Sequence, residues 1–255
     1  MVSTAFLPGD VQIGTGAGGL PAVFPYASEE LTSYEIGSKN RFLDQRLQIN
    51  LSAFRDNYGG YQASIQTNPQ NPGSAILFNV PLQLTGAELE TQFQLTPEDR
   101  IGFDFSDVDT SFHGAPPLFN QAVAQKGLWG FPPKTATLSY DHNFALPDGS
   151  SLDFHGEGIW RSTYSIEPMN PSLVAEGGLP YDQQKSFFLG NLSMTWMPVG
   201  DQFSVTGYAR NIGDERYKTY TNVQSLANVQ LMTPLIASGT QSDPRTFGVV
   251  VTAKF

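Results

Sequence analysis

The sequence predicts an all-β fold, an antiparallel sheet of the kind that crosses a membrane as a transmembrane β-barrel. From Leu31 onward, apolar and polar residues alternate with a period of two, which is typical of strands with one apolar face. Most alternating segments are ten residues or longer. Strands of that length, tilted by about 45°, cover the roughly 25 Å apolar band of a membrane, whereas sandwich strands are commonly about five or six residues long.

Nine strands are predicted in chain order. They span about 31–43, 46–64, 77–95, 100–112, 134–146, 151–166, 186–198, 202–218 and 244–255. Residues 1–30 are predicted to be a loop segment, the tail of an extracellular loop, because proline and glycine are frequent between Pro8 and Pro25. The barrel part of the chain is therefore expected over residues 31–255.

The connections alternate between short and long. The short ones are residues 43–45, 96–99, 147–150 and 198–201, and the long ones are roughly 65–76, 113–133, 167–185 and 219–243. Transmembrane barrels have short turns at the periplasmic rim and longer loops outside the cell. We therefore expect the long connections to be extracellular loops.

The alternation also divides the side chains between lipid and lumen. In residues 151–161, Leu152, Phe154 and Trp160 fall on one face and the charged residues on the other. The same pattern in residues 86–95 separates an apolar face from a carboxylate face. The predicted lumen-facing residues, candidates for contact with a solute or a plug, are Glu88, Glu90, Asp153, His155, Glu157 and Arg161.

The charge balance excludes one class of partner. Lys and Arg total 14 against 24 Asp and Glu, which gives a net charge of −10. This is too little positive charge to neutralise a phosphate backbone, so no nucleic-acid partner is expected. The chain has no cysteine, which excludes disulfides and thiolate metal sites.

No motif predicts catalysis or a cofactor. Gly14–Gly19 matches the G-x-G-x-x-G pattern of dinucleotide sites, but Pro21 and Pro25 follow where that site needs a helix. The cluster Asp153, His155 and Glu157 could hold a cation or a ferric chelate, but the favoured interpretation is a hydrated lumen wall whose charges are satisfied by water and by a plug or cross-barrel partner. We expect no enzyme, no cofactor and no metal site.

Three segments resemble the C-terminal half of a TonB-dependent outer-membrane receptor barrel. The first is Glu30–Asn50, with Ser33-Tyr34-Glu35-Ile36-Gly37 at its centre; the second is Val205–Tyr217, which contains Asn211-Ile212-Gly213-Asp214. The third is Pro244–Phe255, an alternating strand that ends on an aromatic residue. The resemblance covers about 28–255.

The resemblance implies the fold and the partners of the chain. Members of this family have a 22-strand barrel and an N-terminal plug, so we expect a partial barrel of about nine strands and no plug domain. The implied location is the outer membrane of a Gram-negative bacterium. The implied partners are membrane lipid, the remaining strands and plug, the TonB energy-coupling complex and the barrel-assembly machinery, with Phe255 as the assembly signal.

The function implied is TonB-dependent uptake of a scarce solute such as siderophore-iron, a vitamin or an oligosaccharide. Two alternatives stay open: a small, complete porin-like barrel, and a soluble β-sandwich lectin or adhesin. The candidate solute contacts in the loops are aromatic residues, namely Phe119, Trp129, Phe131, Tyr181, Tyr217 and Tyr220.

Overall fold

The computed structural model describes residues 1–15, 21–66, 75–200, 202–225 and 235–254. The strands in chain order are β1 (Val2–Leu7), β2 (Asp10–Thr15), β3 (Pro21–Tyr26), β4 (Glu29–Phe42), β5 (Leu47–Gln66), β6 (Ala75–Gln94), β7 (Asp99–Phe112), β8 (Lys134–Ala145), β9 (Ser151–Arg161), β10 (Tyr164–Ser165), β11 (Gln183–Gln184), β12 (Phe187–Met197), β13 (Phe203–Arg210), β14 (Lys218–Ser225), β15 (Leu235–Gln241) and β16 (Thr246–Ala253). Three short helices are α1 (Pro117–Ala122), α2 (Pro171–Ala175) and α3 (Leu179–Asp182). None of the helices in the described ranges is long and apolar enough to cross a membrane.

Ten strands form one antiparallel sheet in the order β1-β4-β5-β6-β7-β8-β9-β12-β13-β16. Each strand pairs with the next one of this set along the chain, so the sheet is a continuous meander. Within the described residues the sheet stays open, with β1 and β16 at its two edges. The structure is therefore a partial barrel wall.

All nine predicted strands are present, and the largest changes in their boundaries are at two strand ends. The strand predicted over 202–218 stops at Arg210, because Asn211 adopts a left-handed φ of 51° that breaks the extended backbone. The strand predicted over 151–166 ends at Arg161 and is followed by the separate two-residue strand β10.

The prediction of a loop over residues 1–30 was wrong. Val2–Leu7 forms β1, which pairs with β4 along six residues from Val2↔Tyr34 to Leu7↔Glu29. Strands β2 and β3 pair with each other as a separate hairpin. Pro8 and Gly9 lie between β1 and β2, whereas Pro21 and Pro25 are part of β3. The free edge of β4 supplies the hydrogen bonds that make residues 2–7 extended.

The register separates the two faces of the sheet as the alternation predicts, because residues directly opposite in an antiparallel pair share a face. One row across six strands is apolar and consists of Leu51, Leu89, Phe105, Ala136, Trp160 and Phe188. The neighbouring row on the opposite face is polar and consists of Ser52, Glu88, Ser106, Thr135 and Arg161. We call these the outer face and the inner face.

The long connections build a second layer at one end of the sheet, which we call the loop end. There the 20-residue strands β5 and β6 carry a buried apolar cluster with α1, formed by Ala63, Ile65, Phe78, Val80, Phe119 and Val123. Phe119 contacts Phe78 and Phe112 edge-on, at ring-centroid distances of 5.9 and 5.1 Å. The main apolar core thus lies at the loop end, while the outer face of the sheet is exposed.

Candidate functional site

The inner face is a polar wall whose charged groups are held by residues on neighbouring strands. Asn50 donates to Glu90 at 3.2 Å, and Ser52 donates to Glu88 at 3.5 Å. Glu90 lies directly opposite Asp104 on β7. The two glutamates therefore share the inner face, as the sequence predicts.

A second group on this wall is centred on Asp141. Its Oδ2 accepts from Nε and Nη2 of Arg100 at 3.1 Å each, and its Oδ1 lies 2.7 Å from Nδ1 of His155. Asp153 accepts from Asn143, and Glu157 accepts from Asn191 at 2.9 Å. The predicted cluster of Asp153, His155 and Glu157 thus shares a face, but each member bonds to a different residue, two of them on β8 and one on β12.

Metal ligation gains no support from this arrangement. Across the described residues, no group of three or more His, Asp or Glu side chains converges in a geometry that could hold a metal ion. The three histidines have separate partners: His113 lies 2.8 Å from Ser111, His142 lies 2.6 Å from Asp99, and His155 contacts Asp141.

The outer face also has a polar group that the sequence analysis missed. Asp99, at the start of β7, accepts from the hydroxyls of Tyr140 at 2.6 Å and Thr96 at 2.5 Å and contacts Nδ1 of His142. It lies beside the short turn between β6 and β7, at the end of the sheet's outer face. The signal was present in the sequence, since His142 interrupts the apolar face of β8.

Two predicted contact residues, Arg161 and Tyr217, meet through a third side chain. Tyr217 stacks on Phe187 with a centroid distance of 4.4 Å and an interplanar angle of 8°, and the Arg161 guanidinium lies 5.9 Å from the same ring. Phe187 is buried. Arg161 and Tyr217 therefore both pack on Phe187, the first residue of β12, at the loop end of the sheet.

The predicted loop contacts differ in how accessible they are. Phe119 is 1% exposed and packs in the loop-end core, so its prediction as a solute contact was wrong. Trp129 is partly buried against the same core, and Phe131 is half-buried. Tyr181 and Tyr220 are exposed and remain available to a solute.

Tyr220 lines a cavity of about 360 Å³ that the sequence analysis did not anticipate. Three segments that are distant in sequence form it: the loop end of β5 and β6, the connection around α2 and α3, and β14. Asp182 lies in its wall and is 1% exposed. Its Oδ1 accepts from the Glu167 amide at 2.9 Å and from Oγ1 of Thr221 at 2.7 Å.

The second carboxylate oxygen of Asp182, Oδ2, is buried and has no hydrogen-bond partner among the described residues. Glu167 also lines the cavity, and burial together with the Asp182 carboxylate raises the pKa of Glu167 above its usual range. Two carboxylates therefore meet at a cavity with little compensating charge. No sequence pattern marks them, because the loops bring them together only in the fold.

The segment Asn211–Tyr217, part of the second resemblance, ends β13 and anchors the loop that follows. Asn211 Nδ2 donates to the carbonyl oxygens of Glu215 and Asp243 at 2.9 and 3.3 Å, and its Oδ1 accepts from the Glu215 amide at 2.9 Å. Asp214 accepts from the Arg245 amide at 2.8 Å, and this bond, with nearby arginines, lowers the pKa of Asp214. The hydrogen bonds of Asn211 and Asp214 thus explain this segment structurally: they end β13 and fix the loop after it.

Two sequence predictions fall partly or wholly outside the described residues. Phe255, the predicted assembly signal, lies outside them. Of Gly14–Gly19, residues 16–19 also lie outside, but Pro21–Tyr26 just after it is the strand β3. A dinucleotide-binding turn would need a helix there.

Comparison with known structures shows the same fold in several receptors. The ferric yersiniabactin uptake receptor FyuA from Yersinia pestis matches with a TM-score of 0.71 and 16% identity, over 100% of this chain and 34% of that one. The ferripyoverdine receptor of Pseudomonas aeruginosa matches with a TM-score of 0.65 and 18% identity, over 98% and 30%. BauA, the ferric preacinetobactin receptor of Acinetobacter baumannii, matches with a TM-score of 0.63 and 16% identity, over 98% and 32%.

The chain spans about a third of the length of these receptors. No curated protein sequence matches it. A sequence profile of one family, described as "TonB dependent receptor-like, beta-barrel", matches residues 2–212, which is well over half of the chain. This chain therefore belongs to the TonB-dependent receptor β-barrel family.

Proposed function

We propose that this chain forms part of the wall and extracellular loops of an outer-membrane receptor of a Gram-negative bacterium, which takes up a scarce solute with energy supplied through TonB. The observation that carries the proposal is the two-sided sheet, which is apolar across its outer face and hydrogen-bonded and charged across its inner face. Lipid covers the outer face in this proposal, and solute and plug contact the inner one.

The edges of the sheet support a larger barrel. Strands β1 and β16 end the described sheet without pairing to each other, and unpaired edges inside a membrane leave backbone groups without hydrogen bonds. Further strands would satisfy both edges. We therefore place the ten strands in a barrel of about 22, as in the family, with a plug in its lumen and TonB acting on that plug.

The open edges also argue against a small complete porin-like barrel, which would need β1 to pair with β16. A soluble sandwich would need a second sheet over the outer face. The described residues form a single large sheet, and residues such as Leu138, Phe188 and Phe247 are more than half exposed on it.

Ferric siderophores are the solute class to test first, because the three similar receptors named above are receptors for ferric siderophores. The test measures uptake of radiolabelled iron chelates by cells that carry the complete receptor containing this chain, in hosts with and without TonB. We expect uptake only when both are present. Uptake that persists without TonB would overturn the proposal and favour a passive pore.

A matched pair of variants connects this test to the inner wall. Arg100→Gln removes the two hydrogen bonds to Asp141 Oδ2 on the inner face, and Arg55→Gln removes an arginine that bonds to Asn57 and Gln83 outside the Asp141 group. If the inner wall contacts plug or solute, Arg100→Gln should slow uptake more than Arg55→Gln at equal receptor abundance.

A further inference from the structure

The cavity at the loop end has the features of a binding site for a positively charged group. Its volume of about 360 Å³ falls within the range of small-molecule sites. Its wall combines apolar side chains, Met169, Leu173 and Val223, with uncharged polar residues and the two carboxylates of Glu167 and Asp182. A solute with a small apolar body and one polar group would match this lining.

The buried Asp182 carboxylate identifies the charge of that group. A buried carboxylate is costly unless a cation, a hydrogen-bond donor or a proton compensates it. Here Oδ1 has two donors, whereas Oδ2 is buried without a partner among the described residues. An N–H donor that carries a positive charge would supply both the missing hydrogen bond and the missing charge.

The described part of the chain supplies no such cation. Neither Asp182 nor Glu167 forms an ion pair within the described ranges. Lys218 lies close by in the fold, but its ammonium donates to the carbonyl oxygens of Pro180, Tyr181 and Gln183, at 3.1, 2.8 and 3.0 Å. It therefore stabilises the loop at α3 and leaves Asp182 Oδ2 unpaired.

We propose that this cavity binds a small organic cation, an ammonium or guanidinium group on a partly apolar body, with Asp182 as the anchoring carboxylate and Glu167 as a second one at the rim. The described residues favour an organic cation over a metal ion, because the cavity is large and no third acidic side chain converges there. The inference rests on the proposed function only in placing the cavity outside the cell, where it would select solutes.

The test compares a charged probe with its neutral analogue, phenethylammonium and 2-phenylethanol, on the complete receptor in detergent micelles. Binding is measured by saturation-transfer NMR and calorimetry near neutral pH. We expect the ammonium probe to bind at least tenfold more tightly than the alcohol. Equal affinity, or no binding of either probe, would overturn the proposal.

Matched variants assign the preference to the cavity. Asp182→Asn should abolish it, Glu167→Gln should reduce it by a smaller factor, and Asp243→Asn, an exposed carboxylate that does not line the cavity, should leave it unchanged. If Asp182→Asn fails to fold, as judged by heat-modifiable migration in gels, the Glu167→Gln result decides. A preference that persists in the folded cavity variants would overturn the assignment.

Two further outcomes are decisive. Protection of the loops by Ca²⁺ alone, with no preference between the probes, would assign the cavity to a metal ion and overturn the proposal. Loss of TonB-dependent uptake with an intact ammonium preference would overturn the proposed function and leave the binding site in place. The two failures are therefore distinguishable.

Discussion

The regular sheet and the loop-end layer of this protein are stabilised in opposite ways. In the sheet, side chains alternate between faces and the outer apolar residues remain exposed, as Leu138 does at 57%. In the loop-end layer, aromatic side chains from distant segments bury one another, as Phe119 does at 1%. The sheet thus depends on its surroundings for its apolar contacts, whereas the loop-end layer has a core of its own.

This difference shows which apolar surface needs a membrane around it and which the chain buries by itself. In the proposed receptor, lipid replaces a core for the outer face, so the sheet needs only backbone pairing and the correct alternation. The loop-end layer meets water and must bury its own apolar surface. Variants in the two regions should therefore fail in different ways.

The largest expected effect is in the loop-end core. Phe119→Ala removes a fully buried ring that contacts Phe78 and Phe112, and such truncations cost about 3–5 kcal/mol. Because the sheet does not depend on this core, we expect local opening of the loops, seen as faster hydrogen exchange and proteolysis, with barrel unfolding unchanged. Tyr181→Ala, at an exposed aromatic residue, is the control and should change little. Equal loss of barrel stability would contradict the separation of the two regions.

The second prediction tests the two faces of the sheet. Leu138→Arg on the outer face should cost about 2–4 kcal/mol if the residue lies near the bilayer midplane, because the charge enters lipid. Thr137→Arg, next to it in sequence, lies opposite Asp104 on the inner face and should be tolerated. Denaturant unfolding of the complete receptor in lipid vesicles measures both. Similar damage from the two variants would refute the assignment of faces.

Sequence reasoning could assign these faces because the alternation is local. The placement of Leu138 and Thr137, or of His155 beside Asp153 and Glu157, needs only the two-residue period of a strand. By contrast, Phe119 is buried through its contact with Phe78, which is far away in the chain. No local pattern predicts such a contact.

Two other features also depend on distant pairing. Strand β1 exists because β4 offers a free edge, and the nearby Pro8 and Gly9 favoured a loop instead. Asp182 meets Thr221 and Glu167 only after the connection between β9 and β12 has folded against β14. The strands and faces were therefore predictable from the sequence, whereas the packing of the loops was not.

The third prediction concerns the junction between the two regions. Asn211→Ala removes the side-chain bonds to Glu215 and Asp243 and places alanine at a φ of 51°, with an expected cost of roughly 2–3 kcal/mol. Asn211→Gly also removes the bonds but tolerates this φ, so it should cost about 1 kcal/mol less. Denaturant titration of both variants gives the difference. If the two variants lose the same free energy of unfolding, the left-handed backbone at Asn211 does not contribute to the cost of the alanine substitution.

The smallest expected effect is at the opposite end of the sheet, in the turn between β4 and β5. Leu43, Asp44 and Gln45 have φ values of 53°, 54° and 73°, three successive left-handed residues without a glycine. This conformation costs about 1–2 kcal/mol for an ordinary side chain, and Leu43 is half exposed, so little packing is lost on truncation. Leu43→Gly removes that strain but gives the unfolded chain more freedom, worth about 0.5–1 kcal/mol. We therefore expect a net gain in stability of up to about 1 kcal/mol, measured by denaturant unfolding.

The control is Val199→Gly, in another short turn where φ is not positive. This variant relieves no strain and only gives the unfolded chain more conformational freedom, so it should destabilise the protein. If both variants destabilise equally, the left-handed turn stores no strain, and the short turns are as relaxed as the strands they join.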